Sequence, residues 1–234
     1  MEPVYKRILL KVSGEVLAGT KGTGIDFEKV NEVCKVICEC AAMGTQIAIV
    51  VGGGNFWRGR SSGDMDRTRA DTMGMLATVI NALALQESLI QLGNDAVVMT
   101  ALDMQRVALP YNKYDAVRYL NEGRVVIFGC GTGSPFFSTD SGAALRANEI
   151  EADVFFKATN VDGVYDKDPN KYPDAVKYDT LTYDEILEKH LMVMDNTAAA
   201  LAQNGKLPVL VFNLDDPENI RRALNGEKIG TIVK

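Results

Sequence analysis

Short, continuous runs of Val, Ile, Leu and Phe punctuate the chain at 5–12, 46–51, 95–100, 124–130, 153–158 and 207–213. Runs of this length and composition are the pattern of strands buried on both faces. Between them, helical patterns occupy 26–43, 71–92, 115–121, 141–149, 182–190 and 217–224, several opened by Asp or Ser where an N-cap belongs. Strand and helix alternate from end to end, which predicts an α/β fold: a largely parallel central sheet covered by helices on both faces, an α/β/α sandwich. The helix ending at Leu92 is apolar nearly all round, the pattern of burial on every side, either inside the fold or between subunits.

In such sheets ligands sit beyond the carboxyl ends of the strands. The first run ends in Lys11-Val12-Ser13-Gly14, and the second in Gly52-Gly53-Gly54-Asn55 with Arg58 close behind. The fourth ends in Gly129-Cys130-Gly131-Thr132-Gly133-Ser134, and the fifth in Lys157-Ala158-Thr159-Asn160. Glycine lets backbone approach an anion, amides at helix starts bind phosphate oxygens, and Lys or Arg supplies compensating charge. Any one of these loops reads equally well as a tight turn. Four on one edge, with Lys11, Arg58 and Lys157 among them, point to a polyphosphate. Two familiar nucleotide motifs are excluded: Gly205-Lys206 is followed by Leu207, which breaks GxxxxGK[ST], and Ser134 stands where GxGxxG needs its third glycine.

Composition narrows the partners. At 234 residues, with 47% hydrophobic and 24% charged positions, the chain is expected to fold as one domain over 1–234, and disordered and fibrous classes are excluded. Lys and Arg total 25 against 31 Asp and Glu, and a net charge of −6 leaves no basic footprint for nucleic acid or an anionic membrane. The longest uncharged run, 72–86, is too short to span a membrane, and the opening MEPVYKRILLKV turns polar at once, as a first strand does and a signal peptide does not. Cys34, Cys38, Cys40 and Cys130 form neither a disulfide framework nor a CxxC pair, which suits a reducing cytoplasm. Cys34 and Cys38 share a stripe with Val30, Val33, Ile37 and Ala41 and read as core packing. The single histidine, His190, lies among Leu187, Leu191 and Met192 and reads as a surface or packing residue. No resident metal site is predicted.

Lys11 to Glu15 (KVSGE) and Val51 to Gly59 (VGGGNFWRG) resemble the first two loops of the amino-acid kinase family. Asp71 to Thr78 (DTMGMLAT), Gly131 to Asp140 (GTGSPFFSTD) and Lys157 to Pro169 (KATNVDGVYDKDP) are similar to segments of its bacterial uridylate kinase branch, and the likeness runs over nearly the whole chain. The resemblance departs at Ser134, where family members usually carry asparagine; a hydroxyl has one donor where the amide has two and a carbonyl.

The resemblance implies transfer of the γ-phosphoryl of ATP to UMP, giving UDP and ADP, with an acceptor-binding part mainly in 1–150 and an ATP-binding part mainly in 151–234. A phosphate acceptor ionises near pH 6 and needs no general base, so charge neutralisation and alignment are what the protein must supply. Lys11 is expected to bridge the donor phosphates, with Arg58 and the glycine-loop amides on the transferring group. Lys157 either adds charge or only lines its strand end. Asp140 caps a helix, holds a catalytic lysine, or does both. Val12, Ser13, Gly14, Gly54, Thr159, Asn160, Tyr165 and Asp168 are implied on the ATP side, Tyr165 near adenine unless it is an ordinary loop aromatic. Gly53, Asp71, Thr132, Gly133, Ser134, Pro135, Phe136, Phe137, Ser138 and Thr139 are implied for UMP, Asp71 on ribose hydroxyls unless it is a helix cap. Gly19, Thr20, Lys21, Gly22, Thr23 and Gly24 match a segment implied to bind GTP as activator, with UTP as inhibitor; read alone it is a flexible loop. Mg²⁺ is expected to arrive with ATP, held by phosphates and water. The family's hexamers of dimers imply a homo-oligomer. Two rivals remain open at this level: a kinase of a carboxylate or carbamate on the same scaffold, and a non-catalytic nucleotide-binding protein.

Overall fold

Residues 3–58, 63–169, 171–189, 191 and 193–234 are described by a computed structural model, the side chain of Leu187 excepted. Gly59, His190 and Met192 lie outside the described residues, so the expectations about them stay with the sequence. The chain runs β1 (Arg7–Val12), α1 (Gly14–Leu17), a 3₁₀ turn (Gly19–Lys21), α2 (Phe27–Ala42), β2 (Gln46–Val51), α3 (Arg67–Gln91), β3 (Ala96–Thr100), β4 (Leu109–Pro110), α4 (Lys113–Asn121) and β5 (Val125–Gly129). It continues α5 (Thr139–Glu149), β6 (Val154–Thr159), β7 (Val164–Tyr165), β8 (Lys177–Tyr178), β9 (Thr180–Leu181), α6 (Tyr183–Glu188), α7 (Asn196–Asn204), β10 (Val209–Asn213), α8 (Glu218–Leu224) and β11 (Thr231–Val233).

All six apolar runs are strands, and they sit side by side in a nine-stranded sheet of order β4-β3-β5-β2-β1-β6-β10-β11-β9. Every pairing in it is parallel except β10 with β11. Because side chains alternate across a strand, β1 feeds two cores: Ile8, Leu10 and Val12 pack into the layer shared with α2, α3 and α8, and Leu9 into the layer shared with α4, α5 and α7. Lys11 follows the parity of Leu9 and is therefore carried to the α5 side. Strand β6 repeats the arrangement, with Phe156 in the first layer and Phe155 in the second, so Lys157 also falls on the α5 side. Phe156 meets Tyr5 and Phe212 edge-on at centroid distances of 5.7 and 5.6 Å, which locks the first layer around the central strands.

Two sequence expectations need correction. Helix α3 starts at Arg67 with Asp66 as its N-cap, accepting from the Arg69 amide at 3.0 Å, so Asp71 is an interior residue and not a cap. Nor is α3 buried all round within the chain: Ala77, Ala82, Leu85 and Leu89 face the core while Met73, Leu76, Ile80 and Ile90 are exposed. Among the described residues it is the one helix long and apolar enough to cross a membrane, and half of its apolar window is buried in the fold. Helices α1 and α7, the 3₁₀ turn and the strands of two or three residues, β4, β7, β8, β9 and β11, were not legible in the apolar pattern, since so few residues carry no period and four of the nine residues of α7 are alanine.

Candidate active site

Lys11 and Lys157 are cross-strand partners at the carboxyl ends of β1 and β6. Like charges placed opposite each other repel unless an anion lies between them, and Asp140, in the first turn of α5, supplies it. Its Oδ1 lies 3.2 Å from Lys11 Nζ, and its Oδ2 accepts from Lys157 Nζ. All three side chains are at most 15% exposed. Burial would raise the Asp140 carboxyl, but the two ammonium groups outweigh it and hold the acid below the ordinary 3.8. Burial pushes the Lys157 ammonium below 10.5 and Lys11 adds to this, with Asp140 opposing. The N-cap of α5 is Ser138, which accepts from the Ser141 amide, so Asp140 does not cap the helix and is left to the lysines.

The glycine loop after β2 lies against α3. A Cβ on Gly53 would come within 2.8 Å of both the Gly74 carbonyl and Ala77 Cβ, closer than side chains pack, so this glycine is fixed by the approach of the helix. Asn55 and Asn81, both buried, exchange amide hydrogen bonds of 2.9 and 2.7 Å, and Asn81 also donates to the Gly52 carbonyl at 2.7 Å. This pair pins the loop to α3 with its polar groups satisfied. Trp57 caps the turn by donating to the Ala70 carbonyl at 2.9 Å, and Arg58 pairs with Glu15 of α1.

Across the cavity, the loop from Cys130 to Thr139 turns through left-handed residues at Cys130, Gly131, Gly133 and Phe136, with φ of 64°, 54°, 81° and 72°. Asp71 holds its far end: Oδ2 accepts from the Phe136 amide and from Arg67 Nε, each at 2.8 Å. The Arg67 guanidinium also lies over the Phe136 ring, 5.4 Å from its centroid. At the near end the Cys130 amide donates to Thr78 Oγ1 at 2.8 Å.

The two loops and the lysine cluster enclose a cavity of about 550 Å³. Lys11, Gly53, Gly54, Arg58, Asp71, Thr132, Ser134, Phe137, Ser138, Thr139 and Asp140 line it, as the sequence led one to expect. So do Trp57, Arg67, Gly74, Met75, Thr78, Cys130, Gly131 and Asp195, which were not singled out as site residues. Such a wall, with bare glycine backbone, three cations and a few hydroxyls, is suited to phosphate groups.

The model of the amino acid kinase family matches residues 6–213. The chain belongs to the amino acid kinase family. Among solved structures it is similar to the UMP kinase from Bacillus anthracis, with 37% identity over 98% of this chain and 96% of that one and a TM-score of 0.95. It is also similar to the UMP kinase from Ureaplasma parvum, at 40% identity over 98% of each chain and a TM-score of 0.94. The uridylate kinase from Archaeoglobus fulgidus is 33% identical over 97% of this chain and 99% of that one, with a TM-score of 0.76.

In this amino acid kinase the remaining expected residues do not line the cavity. Val12 ends β1, Ser13 precedes α1 and Gly14 begins it, packed so closely that a Cβ there would reach the Gly52 carbonyl at 2.7 Å. Thr159 ends β6, and its hydroxyl donates to Asn160 Oδ1 at 3.2 Å. Tyr165 lies on the β7–β8 hairpin with its hydroxyl donating to Asp162 at 2.7 Å, and Asp168 follows, 3.4 Å from Lys171 Nζ. Lys157 stands behind Asp140. Gly133, Pro135 and Phe136 belong to the loop from Cys130 to Thr139 but do not line the cavity. The segment Gly19 to Gly24 is not remote: Asn55 Nδ2 donates to the Gly24 carbonyl at 2.7 Å, and Thr23 Oγ1 donates to the Asn55 carbonyl at 3.0 Å. Asp195 is the most informative residue the sequence reading missed. It caps α7 by accepting from the Ala198 amide at 3.0 Å, and it also accepts from the hydroxyls of Ser138 and Ser141. Its signal was present, an Asp before an alanine run, and marks a helix start without revealing which cavity that start faces.

Proposed function

We propose that this chain is a UMP kinase, transferring the γ-phosphoryl of ATP to a phosphate oxygen of UMP to give UDP and ADP in pyrimidine nucleotide biosynthesis. The observation that carries the reading is the cavity in which the Lys11–Asp140–Lys157 cluster, the Gly53–Gly54 backbone and the loop held by Asp71 converge. The UMP kinases among its structural neighbours support the same substrates. The acceptor oxygen forms its bond to the γ-phosphorus as the bond to ADP breaks; being already ionised, it needs no base. Lys11 and Arg58 neutralise the approaching phosphates, Lys157 adds charge from behind, and Asp140 keeps two buried ammonium groups together and aimed. Asp71 and the segment Thr132 to Thr139 hold UMP. Thr159, Asn160, Tyr165 and Asp168 hold ATP, so that 1–150 mainly serves the acceptor and 151–234 mainly the donor within one domain.

Asp140 and Asp195, the carboxylates near the phosphates, are already engaged by lysines, hydroxyls and an amide. Among the described residues no cluster of three or more metal-binding side chains stands elsewhere. This donor set fits Mg²⁺ carried in by ATP, which when bound would neutralise phosphate charge. We further assign a cytoplasmic setting, supported by four free cysteines, and a homohexamer built through the exposed face of α3. GTP as activator is assigned to Gly19 to Gly24, supported by that segment's hydrogen bonds to Asn55, with UTP as inhibitor. The deciding experiment is ADP release by the purified chain with Mg·ATP and, in turn, UMP, CMP, dUMP, AMP, glutamate and aspartate. Turnover with UMP far above the others is expected; turnover on a carboxylate, or on nothing, overturns the assignment.

A further inference from the structure

Arg146 is a buried cation that the phosphate chemistry does not use. It lies on α5, 5% exposed, and does not line the cavity. A buried guanidinium is costly unless its charge and its N–H groups are met, and here they are met on three sides. Nη1 donates to Glu149 Oε2 at 2.6 Å, Nη2 donates to the Gly131 carbonyl at 3.3 Å, and the guanidinium lies over the Tyr111 ring, Cζ 3.7 Å from its centroid. Tyr111 is itself anchored: its hydroxyl donates to the same Glu149 oxygen at 2.5 Å, its amide to the Thr100 carbonyl at 2.9 Å, and its ring meets Phe128 edge-on at 5.5 Å.

The carbonyl that Arg146 grips sits where the acceptor loop is hardest to hold. Cys130, Gly131 and Gly133 are all left-handed, and Cys130 adopts that region with a side chain that disfavours it. A backbone in such a conformation persists only where its surroundings over-determine it. Three hydrogen bonds do so: the Cys130 amide to Thr78, the Gly133 amide to the Cys130 carbonyl at 2.9 Å, and Arg146 to the Gly131 carbonyl. Thr132 and Ser134, which line the cavity, follow directly.

We propose that Arg146, Glu149 and Tyr111 are positioning residues for the acceptor: they fix the Gly131 carbonyl and, through it, the turn that presents Thr132 and Ser134. None of the three touches substrate, and the UMP reading enters only through the identity of the acceptor. The test is steady-state kinetics on the full chain with UMP and Mg·ATP varied separately. Arg146→Lys keeps a positive charge but loses the fork and the stacking face, so the KM for UMP should rise on the order of tenfold while that for ATP stays within about twofold. Tyr111→Leu, which removes ring and hydroxyl, should do the same, and Tyr111→Phe, which keeps the ring, should recover most of the loss. An unchanged UMP KM, or UMP and ATP constants rising together, would overturn the proposal. If Arg146→Lys fails to fold, the Tyr111 pair decides by the same criterion. If the unaltered chain prefers another acceptor, the substrate assignment alone falls, and the ratio is read with that acceptor.

Discussion

Lys157 carries its charge in a place that resists it, and this has consequences in opposite directions for stability and activity. Its folded pKa is lowered from 10.5, so between the folded value and 10.5 the unfolded chain holds the proton and the folded chain does not. Stability therefore rises with pH across that window, while any catalytic contribution of the ammonium is lost. The kcat/KM for UMP, which reports groups of the free enzyme, is expected to fall on the alkaline side from below pH 10.5. Lys157→Arg, whose guanidinium keeps its charge, should move that limb upward; a limb that stays put belongs to another group. Asp140 follows the same sign at the acid end, where stability again rises with pH. Its folded pKa lies below 3.8, so its stabilising contribution is complete above 3.8 and is lost as pH falls through the folded value. An acid limb near pH 6 would accordingly report the acceptor phosphate. Lys11 and Lys157 were legible as charged residues at strand ends and Asp140 as an acid at a helix start, and the resemblance implied that Asp140 holds a lysine. That it joins both lysines was not legible, because residues 11, 140 and 157 meet only once β1, β6 and α5 are packed.

Glycines 52 to 54 show the same division for elements. A run of three glycines after a strand reads as a phosphate loop or a tight turn, and each residue reads alike. In the fold they differ: a Cβ on Gly53 would meet Gly74 and Ala77 of α3 at 2.8 Å, whereas one on Gly54 would find its nearest atom at 3.3 Å. Gly53→Ala must push the loop from the helix, and overpacking of this kind costs about 1–3 kcal/mol. A lower Tm together with a loss of kcat is expected from thermal denaturation and the coupled assay, since Arg58 follows on the same loop. Retention of both would mean that α3 yields, and that the close approach is not what demands glycine. The Asn55–Asn81 pair belongs to the same contact. An asparagine within an apolar helical stretch looks like an interruption in the sequence; the fold makes it the clasp of the loop.

At the scale of the molecule, the exposed face of α3 is the feature with the most at stake. Met73, Leu76 and Ile80 recur at helical spacing on one side and are 37%, 49% and 48% exposed. The assembly proposed through this face predicts that Ile80→Glu reduces the mass seen by analytical ultracentrifugation while the circular dichroism of the chain is kept. An unchanged mass would leave that face to solvent. The apolar runs determined by themselves that the protein is a largely parallel α/β sheet, because burial on both faces imposes continuous hydrophobicity whatever the strand order. The loop motifs determined the phosphate chemistry, because bare backbone and cations are written locally. Strand order, the two-strand meeting of Lys11 and Lys157, the reach of Asp195 into the cavity, the grip of Arg146 on Gly131 and the half-exposure of α3 were decided only by tertiary structure. Each depends on contacts between residues far apart in the chain, and a linear pattern records what a residue needs around it without recording which distant residue will supply it.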